Sequence, residues 1–371
     1  MTQPVPRQTR RRYRQRTPLM LLAALALLAG LWAGLLRLGW QLPPLSLRLP
    51  AQHGPLMVSG FLGTLISLER AVALSQNQNG RRLYYLSPLL AGLGAVTLFL
   101  TLPTAVPRGL STLGALGLTL IFVIIYRLQS TIDHAVMGIG ALLWLVGNGL
   151  WLAGWPVFQV VPWWAGFLVL TIAGERLELT RVLMLKQKTR TIFLSVVAVF
   201  LTGLLVSLFA FDAGLRLVGL ALIALGAWLL RYDIARRTIR QKGLTRFIAA
   251  CLLPGYIWLI VGGAIWLLVG GQYVAGPLYD AMLHTIFLGF VFSMIFGHAP
   301  VIVPAVLGVQ VPYSPLFYVH LVLLHLSLIL RVAGDLLLEM PVRRWGGLLN
   351  EVAVLLFLLV TAVTIRYGKK K

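Results

Sequence analysis

The stretch from Asp280 to Gly308, DAMLHTIFLGFVFSMIFGHAPVIVPAVLG, decides the fold. It is long and apolar enough to cross a bilayer, yet it carries His284 near one end and His298 near the other. On a regular α-helix, with a rise of about 1.5 Å per residue, the two imidazoles stand about 21 Å apart and differ by about 40° around the axis. Both can look into one bundle interior, but they cannot share a metal ion. An ionisable side chain within a membrane span is costly and marks a functional site by default.

The rest of the chain repeats the apolar pattern. Of 371 residues 59% are hydrophobic and only 11% charged, which excludes an ordinary soluble domain. Twelve spans are expected, near 18–38, 55–76, 83–103, 108–128, 134–154, 158–176, 190–210, 213–231, 247–270, 280–305, 315–337 and 346–367. Pro43-Pro44, Pro103, Pro107, Pro156 and Pro315 fall at or beside their ends. The basic N-terminus followed by an apolar run has the order of a signal peptide. The run is long enough to span and lacks a convincing cleavage site, so it reads as a retained first helix. Residues 1–17 then form a basic tail and 18–371 one membrane domain.

A net charge of +22 raises the question of nucleic acid, but the basic residues cluster between apolar runs rather than forming a stripe. With twelve spans both termini share a side. All of the 32 Lys+Arg lie on that side except Arg37, Arg48, Arg108, Arg216, Arg331, Arg343 and Arg344. Arg10-Arg11-Arg12 and Lys369-Lys370-Lys371 contribute to the excess. The positive-inside rule places both termini in the cytoplasm. The single cysteine, Cys251, excludes internal disulfides, thiolate zinc sites, Fe–S clusters and covalent haem attachment.

Three segments resemble one another: GFLGTLISLER from Gly60, GFLVLTIAGER from Gly166 and GFVFSMIFGHA from Gly289. They fall on spans two, six and ten. A period of four spans implies an all-α bundle with three-fold pseudo-symmetry, its repeats covering about 18–128, 133–246 and 247–367.

His53 and His284 both sit at the non-cytoplasmic ends of inner-type helices. Two such histidines on separate helices suit the axial positions of a haem iron. The bland alternative for His53 is an interfacial residue at a helix start. Arg343 and Arg344, in EMPVRRWGG on the same side, offer forked donors for carboxylates such as haem propionates. Glu69-Arg70, Glu175-Arg176 and Glu178 read as structural ion pairs at helix ends, with a proton or substrate path as the alternative. His298, His320 and His134 lie towards that same end and offer imidazoles for a second metal, copper being one candidate. His325 is about 140° around the helix from His320, so the two do not form a ligand pair. Trp155, Trp163 and Trp164 read as an aromatic belt.

Twelve spans in three groups of four resemble the catalytic subunit of the haem-copper oxidases. His53 in HGPLM and His284 before TIFLGFVFSMIFGH are similar to that family's low-spin haem ligands on helices two and ten. MPVRR, Met340 to Arg344, resembles its propionate-binding arginine pair with Val342 inserted. The departures are as telling. Spans six to eight contain no histidine, where the family's copper ligands would stand, and Met282 occupies the position of the high-spin haem ligand. The oxygen-reducing site is therefore missing, and the chain is more similar to the smaller NnrS-like haem-binding membrane proteins tied to the nitric oxide response.

The resemblance implies one non-covalent haem b held by His53 and His284, with Arg343 and Arg344 at its propionates. It implies electron transfer rather than oxygen reduction. Such a role needs an electron donor and an acceptor outside this chain, and further membrane subunits are compatible with it. A nitric-oxide response protein with a second metal at His298 and His320 is one alternative. A cofactor-free transporter using Glu69 and Glu175 is the other.

Overall fold

The computed structural model describes residues 7–43, 46–77, 82–100 and 102–368. Pro44, Lys369-Lys370-Lys371 and the side chains of Arg10-Arg11-Arg12 lie outside the described residues. Secondary structure among the described residues is helical, with no strand. That is what a bilayer demands, because a helix satisfies its own backbone where no water can.

Eleven helices among the described residues are long and apolar enough to cross a membrane, beginning with Arg16–Arg37 and ending with Met340–Arg366. Twelve were expected. The difference lies near 83–103, where a single turn of 3₁₀-helix, Arg82–Tyr85, leads into an α-helix, Leu86–Thr97, of only 12 residues. At about 1.5 Å per residue that helix is about 18 Å long, short of the roughly 30 Å of a hydrocarbon core.

The chain divides into two compact units. The first comprises Met1–Phe167 with Val301–Gln310, and the second Leu168–Pro300 with Val311–Lys371. In the first unit Leu19, Leu68, Val72 and Val306 form one apolar cluster. Arg16 caps the end of the Ser293–Leu307 helix by donating to the Val306 carbonyl at 3.2 Å, as a cation at a helix C-terminus should. A largely buried polar knot ties three helices together. Ser59 donates to Asn148 Oδ1 at 3.0 Å, Trp144 Nε1 donates to Ser59 Oγ at 3.2 Å, and Thr112 donates to the Asn148 carbonyl at 3.2 Å.

In the second unit the Phe211–Tyr232 and Gly243–Val269 helices pack backbone against backbone. A Cβ on Gly263 would lie 2.7 Å from the Gly219 carbonyl oxygen, and one on Gly219 would lie 2.6 Å from that of Gly263. Lipid tails give apolar side chains little reason to leave them, so close packing through small residues does much of the work of helix association.

Two segments depart from α-geometry. Leu56–Gly63 and Thr285–Phe292 are π-helical, each 8 residues long. Gly60 and Gly289, which head two of the three similar sequence segments, are each the fifth residue of their stretch. The third segment, at Gly166, lies in the α-helix Val157–Leu179. The π-turns carry more residues per turn than an α-helix. The 40° offset expected between His284 and His298 therefore does not carry over, because Thr285–Phe292 intervenes.

Gly263→Leu is expected to lower the unfolding temperature of the detergent-solubilised protein by several degrees. Gly109→Leu, at a position where an added Cβ meets nothing within 4 Å, should leave it within about a degree. Circular-dichroism melts of both variants check this.

Candidate functional site

His284 is the last residue of the Pro277–His284 helix, directly before the π-helical stretch. A switch from i→i+4 to i→i+5 bonding disturbs the carbonyl ladder, and side chains bond the carbonyls at this junction. Trp266 Nε1 donates to the Met282 carbonyl at 2.8 Å, and the Thr285 hydroxyl donates to that of Ala281 at 2.8 Å.

The imidazole is oriented from below. His284 Nδ1 lies 2.9 Å from the Asp280 carbonyl oxygen and 3.4 Å from the Asp280 carboxylate. Both are acceptors, so Nδ1 carries the proton and the ring lone pair falls on Nε2. Asp280 is itself fixed. Arg331 grips it with both arms, Nε to Oδ2 at 2.7 Å and Nη2 to Oδ1 at 2.9 Å. Arg343 Nη2 adds a contact to Oδ1 at 3.2 Å, and its Nε stands 2.8 Å from Asp335, which is fully buried. Two guanidiniums thus stand against two carboxylates at low exposure, the pairing that lets buried charge be tolerated.

The backbone makes this cluster reachable. The Phe317–Leu336 and Met340–Gly368 helices approach so closely that a Cβ on Gly334 would lie 2.4 Å from Arg343 N, and one on Gly346 would lie 2.4 Å from Arg331 N. Each glycine therefore seats the arginine of the facing helix.

His53, in the first unit, follows the same local pattern. It precedes the Leu56–Gly63 π-stretch by three residues, and its Nδ1 donates to the Gly30 carbonyl at 2.7 Å. The lone pair again falls on Nε2. A histidine that binds metal commonly ties its other nitrogen to a carbonyl or carboxylate in this way, which fixes ring and tautomer.

The remaining histidines have other surroundings. His134 Nδ1 bonds the Gln129 carbonyl at 2.9 Å. His298 Nδ1 bonds the Met294 carbonyl at 2.7 Å, while its Nε2 lies 3.4 Å from Arg176 and 3.6 Å from Glu175. A guanidinium beside that nitrogen opposes a cation there. His320 is buried among the rings of Phe247, Phe296, Phe317 and Phe357. His325 Nδ1 accepts from Trp258 Nε1 at 3.1 Å, so its proton resides on Nε2.

Of the acidic pairs, Glu69 and Arg70 contact each other at 3.2 Å. Arg176 reaches instead to Asp233, with Nε to Oδ2 at 2.8 Å and Nη2 to Oδ1 at 3.0 Å, both side chains buried. Sequence reasoning missed Asp280, Arg331, Asp233 and Gly30. For Asp280 a signal did exist: it is an acid four residues before His284, one helical turn below it.

The chain matches, over residues 16–366, the family described as a domain of unknown function, DUF8744, and belongs to that family. No curated protein and no solved structure matches it.

Breaking the clamp on Asp280 tests its structural weight. Arg331→Met is expected to cost about 3–5 kcal/mol, the usual penalty for leaving one buried charge unpaired. Arg331→Lys, which keeps the charge but loses the fork, should cost less. Denaturant unfolding in detergent micelles checks both.

Proposed function

We propose that this DUF8744 protein is a membrane-embedded haem b protein that carries electrons, with His53 and His284 as axial ligands. One observation carries the reading. The two candidate ligands share a local design: each stands just before an eight-residue π-helical stretch, and each has Nδ1 bonded to a backbone carbonyl. π-helical turns are rare and concentrate at functional sites. Imidazole Nε2 suits iron, so the donor chemistry fits the group.

Bound haem b would supply a one-electron Fe(III)/Fe(II) couple. The chain's own residues would hold and tune it. Asp280, gripped by Arg331, would orient His284 and raise its basicity through the Nδ1 side, favouring the ferric form. The Gly30 carbonyl is a weaker acceptor and would orient His53 with less electronic effect. Arg343 and Arg344 would meet the propionates, and Arg343 would join them to the network that already includes Asp280 and Asp335. With both axial positions filled the iron would have no open position, which fits electron transfer better than oxygen chemistry. The twelve-element, three-fold arrangement similar to haem-copper oxidases, the cytoplasmic termini and the bacterial inner membrane belong to the same proposal. The shared π-stretches of the second and tenth expected spans support its two-helix core.

The transporter reading gives Glu69 and Glu175 the central role. The close partners of these residues, Arg70 for one and His298 for the other, fit structural ties at least as well.

The full-length protein, expressed with ample haem and purified in detergent, is expected to give a low-spin b-type reduced-minus-oxidised spectrum and a positive pyridine haemochrome. His53→Ala and His284→Ala should each abolish the low-spin spectrum. Asp280→Asn should retain haem while raising the midpoint potential by tens of millivolts. A colourless wild-type protein contradicts the proposal, and retention of function in both histidine variants favours transport.

A further inference from the structure

The second unit also carries a basic cavity with no role in the haem reading. It has a volume of about 520 Å³ and lies where the Phe211–Tyr232 helix ends and the short Ala235–Thr238 helix begins. Arg231, Arg236, Arg237 and Arg240 line it, together with Leu183 and Leu185. All four arginines are exposed, and among the described residues none has an acidic partner. Arg231 lies over the Tyr232 ring at 5.3 Å, and Arg236 donates to the Arg231 carbonyl at 3.1 Å. The one acid in the lining, Asp233, is already neutralised by both arms of Arg176, and its Oδ1 also accepts from the Ala235 N–H at 2.6 Å. The cavity therefore presents four uncompensated positive charges. Charges that serve only to orient spans need lie merely in a loop. Here four line one concave site, and guanidiniums offer the forked donors that suit phosphate.

A second, apolar groove of about 660 Å³ runs between the Gln187–Val206 and Phe211–Tyr232 helices. Ile192, Val196, Val199, Leu220 and Ala224 line it, and Gln187 and Lys188 stand at one end. Helix periodicity brings the two features together. Leu220, Ala224 and Arg231 lie on one face of the same helix, at spacings of four and seven. On the other wall, Leu185 of the cavity is only two residues from Gln187 of the groove. Beside Leu183 and Leu185 the same segment exposes Val182 and Met184, at 79% and 86%. Apolar side chains exposed beside a ring of arginines describe an element seated at headgroup depth.

We propose that this is a binding site for an anionic phospholipid, whose phosphate-bearing headgroup enters the arginine cavity while an acyl chain lies along the groove. The groove selects a lipid over a soluble phosphate compound, and the four arginines select an anionic headgroup over a zwitterionic one.

The test is lipid binding by the full-length protein, delipidated in detergent and titrated with phosphatidylglycerol or phosphatidylcholine, with bound lipid counted by native mass spectrometry. Phosphatidylglycerol should bind at least tenfold more tightly. The combined R236Q/R237Q/R240Q variant should lose about 100-fold in affinity, at roughly fivefold per arginine. If that variant does not fold, Arg237→Gln and Arg240→Gln separately should each show the fivefold loss. Ala224→Phe, which narrows the groove, should weaken the lipid without altering the arginines. Equal binding of the two lipids, or binding indifferent to the arginines, overturns the proposal. So does displacement of the lipid by inorganic phosphate at matching concentration, which would make the cavity a site for soluble phosphate.

Discussion

The carboxylate of Asp280 is the point on which the second unit's polar interior turns. A charge at this depth must be matched, and Arg331 and Arg343 reach it from two helices that follow in the chain. Those two helices lie close enough only because Gly334 and Gly346 leave room for the facing backbones. The same carboxylate faces His284 Nδ1 one turn above. Removing the acid would leave two guanidiniums without their shared partner and the imidazole without its carboxylate. The charge balance of three helices thus meets at one side chain.

That coupling suits a ligand that must not move. Haem proteins that only pass electrons gain from rigid axial ligands, since little then reorganises between the two oxidation states. A histidine whose Nδ1 bonds the Asp280 backbone carbonyl and faces that residue's clamped carboxylate, at the mouth of a π-helical stretch, is a rigid donor. His53 attains a similar hold through the Gly30 carbonyl, with no charge involved. The two ligands would then differ in basicity, and substitutions on the Asp280 side would move the potential more than those on the Gly30 side.

The sequence made most of the helices legible, because long apolar runs bounded by proline and arginine have few alternative readings in a chain of this composition. One of the twelve expected spans has no full-length counterpart among the described residues. Residues 83–103 are apolar throughout, but Leu86–Thr97 covers only part of them as regular α-helix. The GF-headed segments exposed a likeness whose physical form, two π-stretches in identical register, no periodicity argument anticipates. His53 and His284 were visible because imidazoles are conspicuous within or beside apolar runs. Their supports were not. Arg331 is 51 residues from Asp280 and Arg176 is 57 from Asp233, and nothing local marks such pairs. Glu175-Arg176 suggested a structural ion pair at a helix end, and the partner of its guanidinium is a distant aspartate that the sequence did not mark.

Near-infrared magnetic circular dichroism of the oxidised, full-length protein tests the central claim most directly, because the charge-transfer band of low-spin ferric haem reports the identity of its axial pair. The account predicts the band of a bis-histidine haem, unchanged in His298→Ala and His320→Ala. A high-spin spectrum, a histidine–methionine band, or no haem signal from protein expressed with ample haem would contradict it.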